Sequence, residues 1–592
     1  MSKTLHNSLF QKWMWPFSAL LMLALGVAAF IYREERIYGD ASYYLLQIIN
    51  RENFLIVHGR PSSIFIEWLP VLLVQMHAPL AWVIDSLSVA EFLWIAISFF
   101  CFGVLLKSKP HAIAVVLVYL FGIRWNYFNP VSELLLAFPV FLLFDYLIRR
   151  EYKSLLLWGV LLGIAWFLLC SHPLYALPLL SLSAMLFVTN GRKNTYLVVV
   201  IVLCFLSVLR FLLLDGYDRV AAETTSQQLG WAETLTHFVY FPYLIDLSKA
   251  FVGITFFSAT GIALLWRRSL KLQAIICFGY AASVVIIVVL NYGKLYPSTF
   301  EPFERYLFPL TLGMVALLIP VWNNASKFLL VGLMLVCAWH VFYLFNYGQK
   351  TVDRRFRLLQ TAIYNTRQWD ATVLFFKKAH YFPAISSNRN NGHDWTMNCE
   401  SLLMSARMGK DSTKQIFIQE VLPDDFYNEA KPSEFLLATS GWKEPLSALN
   451  PFYFNPRPTP WRCAQTDSIN TAEIFTAKNM EVDWIIAPSC VKSNAEFEVL
   501  VELYNKSVQT VFSRTTNGDK GIVYVWKNAD GQIIKNDHVL APFMCDWKES
   551  LRQHIVVHAP STAGTYYLEL CIIDDTNSVV LPLGKTQRID VH

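Results

Sequence analysis

The sequence predicts a multi-pass α-helical membrane protein with a C-terminal extracytoplasmic α/β region and a small β-sandwich-like module, and three observations carry that reading. Apolar runs of about 20 residues, enough at 1.5 Å per residue to cross roughly 30 Å of hydrocarbon, recur from Trp13 to Tyr347 and then stop. Over the whole chain 55% of residues are hydrophobic and only 16% charged, an imbalance concentrated in the first part. The short basic connectors fall in alternate loops, as the positive-inside rule requires of a polytopic chain.

The candidate spans are 13–32, 64–83, 86–106, 111–125, 131–148, 154–170, 173–189, 195–214, 248–266, 272–291, 306–322 and 327–346. Lys3 and Lys12 precede the first run, which has no A-x-A cleavage site and is long for a signal peptide, so it reads as a retained helix. Lys107/Lys109, Arg149/Arg150/Lys153, Arg192/Lys193, Arg267/Arg268/Lys271 and Lys327 mark cytoplasmic loops, and the other connectors then face outward together with the tail. A cytoplasmic N-terminus and a cytoplasmic Lys107 require an even number of crossings between them, whereas three apolar segments intervene. One of these is therefore not a simple span, or a crossing has been missed, and the expected total is about 11–13 helices.

Residues 33–63 form the first outward loop: Arg33-Glu34-Glu35-Arg36, Gly39-Asp40, and a stretch from Ala41 to Asn53 whose apolar and aromatic residues suit a helix lying on the membrane surface. The expected division is 1–349 for the membrane domain, 350–528 for an α/β domain and 529–592 for a β-rich module. The α/β region has strand-like runs at Thr372–Phe376, Gln415–Glu420 and Trp484–Ala487. The β-rich module has turn signals at Ala529-Asp530-Gly531 and Ala563-Gly564 between alternating runs at His554–His558 and Thr565–Ile573.

The formal charge of +5 and the lack of a basic tract or basic-aromatic stripe exclude nucleic acid as a partner. Ten cysteines without a C-x-x-C pair argue against a zinc ribbon. The five in the tail (Cys399, Cys463, Cys490, Cys545, Cys571) allow at most two disulfides in an oxidising compartment.

Ionisable residues beside apolar helices are the candidate site, because burying charge there is costly. Asp40, in Tyr38-Gly39-Asp40-Ala41-Ser42-Tyr43-Tyr44, is placed to take a proton from an acceptor at the membrane surface, and reads equally as a helix N-cap. His58 and Arg60 could hold a phosphate, with Glu67 as a metal ligand or a partner of Arg60; the alternative is interfacial snorkelling of Arg60 ahead of a helix opened by Pro61. Glu133 opens an apolar helix as an active carboxylate or as a complement to the helix dipole. His172, Lys294, Tyr296, Glu301 and Arg305 sit at outward turns, where basic groups could bind a lipid-carrier phosphate or where polar residues simply meet water.

In this order, the features resemble the GT-C membrane glycosyltransferases, the class of the aminoarabinose and protein O-mannosyl transferases. Gly39-Asp40-Ala41-Ser42-Tyr43-Tyr44-Leu45-Leu46 looks like their acidic outward loop, and Arg60-Pro61-Ser62-Ser63 through Glu67-Trp68 resembles their basic-proline element. Glu133 fits a second acidic position, His172-Pro173-Leu174-Tyr175-Ala176-Leu177-Pro178 a turn before a Leu/Pro-rich helix, and Arg305-Tyr306-Leu307-Phe308-Pro309-Leu310 an Arg-Tyr-Leu-x-Pro-Leu element. Ala41 stands where many members carry a second acid, and Ser62 where they carry a second proline. The resemblance implies a polyprenyl-phosphate sugar donor, a lipid, glycan or protein acceptor, and inverting transfer on the outer face of the cytoplasmic (inner) membrane, among membrane lipids and with the tail periplasmic. By carry-over Asp40 is the general base, Glu133 a second essential carboxylate, and Arg60, His172, Lys294 and Arg305 candidate phosphate ligands; no cofactor is certain, and a divalent metal ion is left open. The tail has no Gly-rich dinucleotide fingerprint, in keeping with a lipid-linked donor. The competing classes are a lipid-linked sugar transporter or flippase, which would show two related halves, and a non-catalytic scaffold with a glycan- or protein-binding tail.

Overall fold

A computed structural model of the chain describes residues 9–123, 127–150, 154–189, 193–213, 251–292 and 300–347, scattered positions between 352 and 366, and 371–377, 396–419, 431–437, 443–459, 462–463, 473–474, 480–505, 511–512, 514–515, 518–519, 522–539, 544–545, 550–573, 580–582 and 586–592. These residues form two compact units. The first comprises 1–361 together with two returning tail segments, 398–413 and 436–456; the second comprises 362–397, 414–435 and 457–592.

The first unit is helical: α1 (Leu9–Ile31), α2 (Asp40–Arg51), α3 (Ile64–Gln75), α4 (Leu80–Phe100), α5 (Lys109–Gly122), α6 (Glu133–Leu136), α7 (Phe138–Ile148), α8 (Leu155–Ser171), α9 (Ala176–Thr189), α10 (Lys193–Leu212), α11 (Val252–Arg267), α12 (Lys271–Tyr292), α13 (Phe300–Trp322), α14 (Lys327–Tyr347) and, from the tail, α15 (Met397–Arg407). Among the described residues four helical stretches are long and apolar enough to cross a membrane: Leu9–Ile31, Leu80–Leu105, Thr195–Leu212 and Lys327–Asn346. The other apolar stretches whose side chains are described are shorter, Lys271–Ile286 and Leu307–Trp322 among them. α5 is buried from His111 to Gly122 and forms the middle of the unit, packed by α1, α4 and α13. The outer helices expose large apolar side chains, among them Leu155, Phe205, Phe278 and Phe328, a surface suited to lipid rather than water.

Two expected spans break. The run 64–83 stops at Gln75, because His77 takes a left-handed conformation (φ 53°) and Ala78 precedes Pro79, which opens α4. At 12 residues α3 is about 18 Å long, short of the roughly 30 Å of hydrocarbon. Both its ends lie beside α2. Leu55, just past α2, donates its N–H to Glu67 near the start of α3, and Gln75 at the end of α3 donates to the Glu52 carbonyl. The run 131–148 divides into α6 and α7, where Pro139 restarts the helix.

α2 departs from the expectation of a surface helix. Ala41, Tyr44 and Ile48 pack against Ile66, Val71, Leu87 and Val131, and the tail covers another side, so Leu45, Leu46 and Ile49 are buried as well. The loop before it is anchored by Arg36, which is fully buried. Its guanidinium pairs with Glu91 at 2.6 Å, donates to the Tyr127 carbonyl at 2.7 Å and to Ser88 Oγ at 2.9 Å, and lies over the Tyr127 ring, while Tyr119 donates to the same Glu91 oxygen.

In the second unit Gln415–Gln419, Val373–Lys377 and Arg462–Cys463 form a parallel sheet, the first two close to the predicted runs at 415–420 and 372–376, whereas the predicted run Trp484–Ala487 falls in the sandwich. The β-sandwich begins earlier than residue 529. One sheet joins Met480–Ile486, Glu496–Asn505 and Ser550–His558; the other is built around Ile522–Lys527, Gly564–Ile573 and Gln587–Val591. Val499, Val501 and Ile555 of the first pack on Tyr524, Trp526 and Leu568 of the second. The expected boundary at 528/529 falls inside a hairpin, between Ile522–Lys527 and Ile533–Val539, whose turn holds Gly531 at φ 79° as Ala529-Asp530-Gly531 predicts. Cys399, Cys490 and Cys571 are free thiols.

Candidate functional site

The site is assembled where the loop after α1, the turn before α3 and the start of α6 meet. Asp40 is the first residue of α2 and not its cap: Gly39 holds the cap position at φ 65°, ψ −137°, a conformation that only glycine adopts readily, and no side-chain cap bond is made. A carboxylate in the first turn of a helix is favoured by the helix dipole. The first turn is held from outside, Ala41 donating its N–H to Asn129 Oδ1 at 3.1 Å and Gly39 donating its own to Glu400 Oε1 at 3.0 Å. Asp40 itself is partly exposed.

Tyr44 stands one turn along α2 on the same face as Asp40, since residues four apart align on a helix. Its hydroxyl donates to Glu133 Oε1 at 2.8 Å. Arg60 Nη1 meets the other oxygen, Oε2, at 3.3 Å, and Ser62 Oγ donates to the Glu133 carbonyl at 3.1 Å. Glu133 thus ties α2 to the Arg60-Pro61-Ser62 turn. Burial, with the Glu133 carboxylate and the Asp40 charge beside it, pushes the Tyr44 hydroxyl well above the ordinary phenol range, so it remains a proton donor at any physiological pH. Arg60 and Glu133 are both largely buried, a setting in which each charge depends on the other.

The other expected residues divide. Glu67 is fully buried and accepts the Leu55 N–H at 2.8 Å, joining α3 to the chain after α2, while the carboxylate paired with Arg60 is Glu133. His58 is half-buried on the preceding turn at φ 54°. His172 caps the Pro173–Tyr175 turn, its Nδ1 accepting from Leu174 N, and three residues on the Tyr175 hydroxyl donates to the Leu134 carbonyl, docking this turn on α6 beside Glu133. Lys294 and Tyr296 lie outside the described residues; Glu301 and Arg305 fall in the first turns of α13, with their side chains outside the description. Among the described residues no three His, Cys, Asp or Glu side chains gather as a metal set.

Tyr44, Asn129, Ser62 and Glu400 are members of the cluster to which the sequence reading assigns no role, although Tyr44 and Ser62 lie inside its motifs. Tyr44 carries a signal in retrospect, its i, i+4 spacing from Asp40 on a buried helix face. Glu400, more than 350 positions away, carries none. No protein-family model, curated protein or solved structure matches the chain.

Proposed function

We propose that the chain is a membrane glycosyltransferase of GT-C type, moving a sugar from a polyprenyl-phosphate donor to a lipid, glycan or protein acceptor on the outer face of the cytoplasmic membrane. The observation that carries the reading is the convergence of Tyr44 and Arg60 on Glu133, one helical turn from a partly exposed Asp40. In this mechanism the Asp40 carboxylate takes the proton of the acceptor hydroxyl or amine as that atom attacks the anomeric carbon. The bond from the anomeric carbon to the donor phosphate oxygen breaks with inversion, and the polyprenyl phosphate leaves with the negative charge. Arg60, with Lys294 and Arg305, supplies cationic donors to that charge, and His172, whose Nδ1 is an acceptor, carries its donor proton on Nε2. Glu133 fixes Arg60 and Tyr44, so the guanidinium is oriented before the donor arrives.

The placement of α3 supports the matching topology. With Leu9–Ile31 and Leu80–Leu105 crossing and α3 too short to span, this reading puts Lys12 and the Lys107 loop on the cytoplasmic side and the Asp40 loop outside. The test is transfer of labelled sugar from a panel of polyprenyl-phosphate donors by the purified chain in lipid, with Glu133→Gln alongside. The reading requires transfer that falls at least about a hundredfold in the variant. Wild-type rates in Glu133→Gln, or no transfer from any lipid-linked donor, would remove it.

A further inference from the structure

The tail reaches back to both ends of the helix that carries Asp40, and it does so with side chains rather than general packing. At the N-terminal end Glu400 of α15, itself wholly buried, accepts the N–H of Gly39, the residue before Asp40. One turn earlier Arg407 of the same helix pairs with Glu34. At the C-terminal end Asn450 donates from Nδ2 to the Ile49 carbonyl and the Glu52 carboxylate, both at 2.9 Å, and its backbone N–H is accepted by Asn50 Oδ1 at 3.1 Å. Next to this, Phe452 stacks on His77 at the end of α3, with centroids 4.8 Å apart.

These contacts form a pattern. α2 makes no side-chain cap of its own, its N-cap is a glycine in a conformation strained for any other residue, and a short helix with free ends is marginal. Besides Asn129, which accepts the Ala41 N–H, the groups that meet its ends come from 361 and about 400 positions away. Burying a carboxylate is costly unless it is hydrogen-bonded, and here it accepts the N–H of Gly39, the cap position of α2. α15 is buried from Met397 to Ala406, so Asn398, Glu400, Ser401 and Ser405 lie out of water together with Leu402, Leu403 and Met404.

We infer that Glu400 is a positioning residue for Asp40, and that the returning segments 398–413 and 436–456 are a clamp belonging to the catalytic unit rather than to an accessory domain. The inference rests on the glycosyl-transfer reading for its effect on rate, and on geometry alone for its effect on α2. The acceptor oxygen is what the Gly39 N–H needs, so glutamine should replace glutamate here and alanine should not.

The experiment uses the full-length chain in lipid with Glu400→Ala, Glu400→Gln and Asn450→Ala, and reads amide hydrogen exchange over residues 36–52 alongside transfer kinetics. In Glu400→Ala, amides of the first turn of α2 should exchange about tenfold or more faster, while peptides from α1 and Leu80–Leu105 stay as in the wild type. In the same variant kcat should fall about tenfold or more with the donor KM within about twofold, the signature of a displaced base rather than a lost binding contact. Glu400→Gln should restore both, and Asn450→Ala should loosen the C-terminal turn of α2 first. Unchanged exchange in Glu400→Ala, a Glu400→Gln variant as impaired as the alanine, or faster exchange spread evenly through α1 and Leu80–Leu105 would each overturn the inference. If Asp40→Asn transferred sugar at the wild-type rate, the functional reading would fail while the exchange result still decided the clamp.

Discussion

Glu91 and Glu133 each hold an arginine out of water, and the two pairs behave differently. Arg36–Glu91 is fully buried, with one Glu91 oxygen taking both the guanidinium and the Tyr119 hydroxyl and Arg36 donating to Ser88 and the Tyr127 carbonyl; it anchors the loop on which Asp40 sits. Replacing Glu91 by Leu leaves the guanidinium uncompensated and is expected to cost on the order of 3–5 kcal/mol, read as a lower midpoint of thermal unfolding in detergent. An unchanged midpoint would mean the pair is not the anchor described. Arg60–Glu133 is at the site, so Tyr44→Phe, which removes one donor to Glu133 without removing volume, should lower transfer several-fold more than it lowers stability, whose loss is about 1 kcal/mol for one hydrogen bond. In the tail, burial and the neighbouring Glu569 push the Cys571 thiol up to about 12, so a folded chain at pH 8 should alkylate exposed Cys490 and spare Cys571 until denatured. The sign follows from linkage: the thiol's pKa is higher folded than unfolded, so this stabilisation is complete below about pH 8.5–9, the unfolded thiol's range, and is lost as the pH rises toward the folded value. Asp40, Arg60 and Glu133 were legible because a charge beside an apolar run is conspicuous. Arg36 was not, because it lies in a run of four charged residues that reads as a solvated loop.

At the scale of elements, α2 and α3 are where pattern and structure part. The apolar content of Ala41–Asn53 suits an interfacial helix, and periodicity cannot distinguish a face turned to lipid from one covered by a distant segment of the same chain; the structure buries it between α3, α4 and the tail. The break at 76–79 was visible in Ala78-Pro79, but the apolar run across it masked the signal. Gly39 gives a direct test. Gly39→Ala imposes φ 65°, ψ −137° on a residue with a Cβ, costs about 1–3 kcal/mol locally, and should speed exchange at the start of α2 more than anywhere else in the chain. Uniform or absent change would place the strain elsewhere.

For the whole molecule, five of the strand runs and an apolar helical first part, with four stretches long enough to cross a membrane, were readable from hydrophobic period. The division into units was not readable, because segments 398–413 and 436–456 join the helical unit through scattered hydrogen bonds, an ion pair and a ring stack, which leave no periodic trace. The topology has a whole-molecule prediction: a cysteine at position 77 should react with a membrane-impermeant maleimide from outside intact cells, and one at position 107 only after permeabilisation. The opposite pattern would make α3 a true span. The central claim, that Asp40 is the base of a sugar transfer, is tested most directly by the rate of transfer from a polyprenyl-phosphate donor in Asp40→Asn, which keeps the size of the side chain and removes its basicity. The account predicts a fall of about a thousandfold or more at unchanged folding, in line with loss of a general base and its positioning; transfer at the wild-type rate would contradict it.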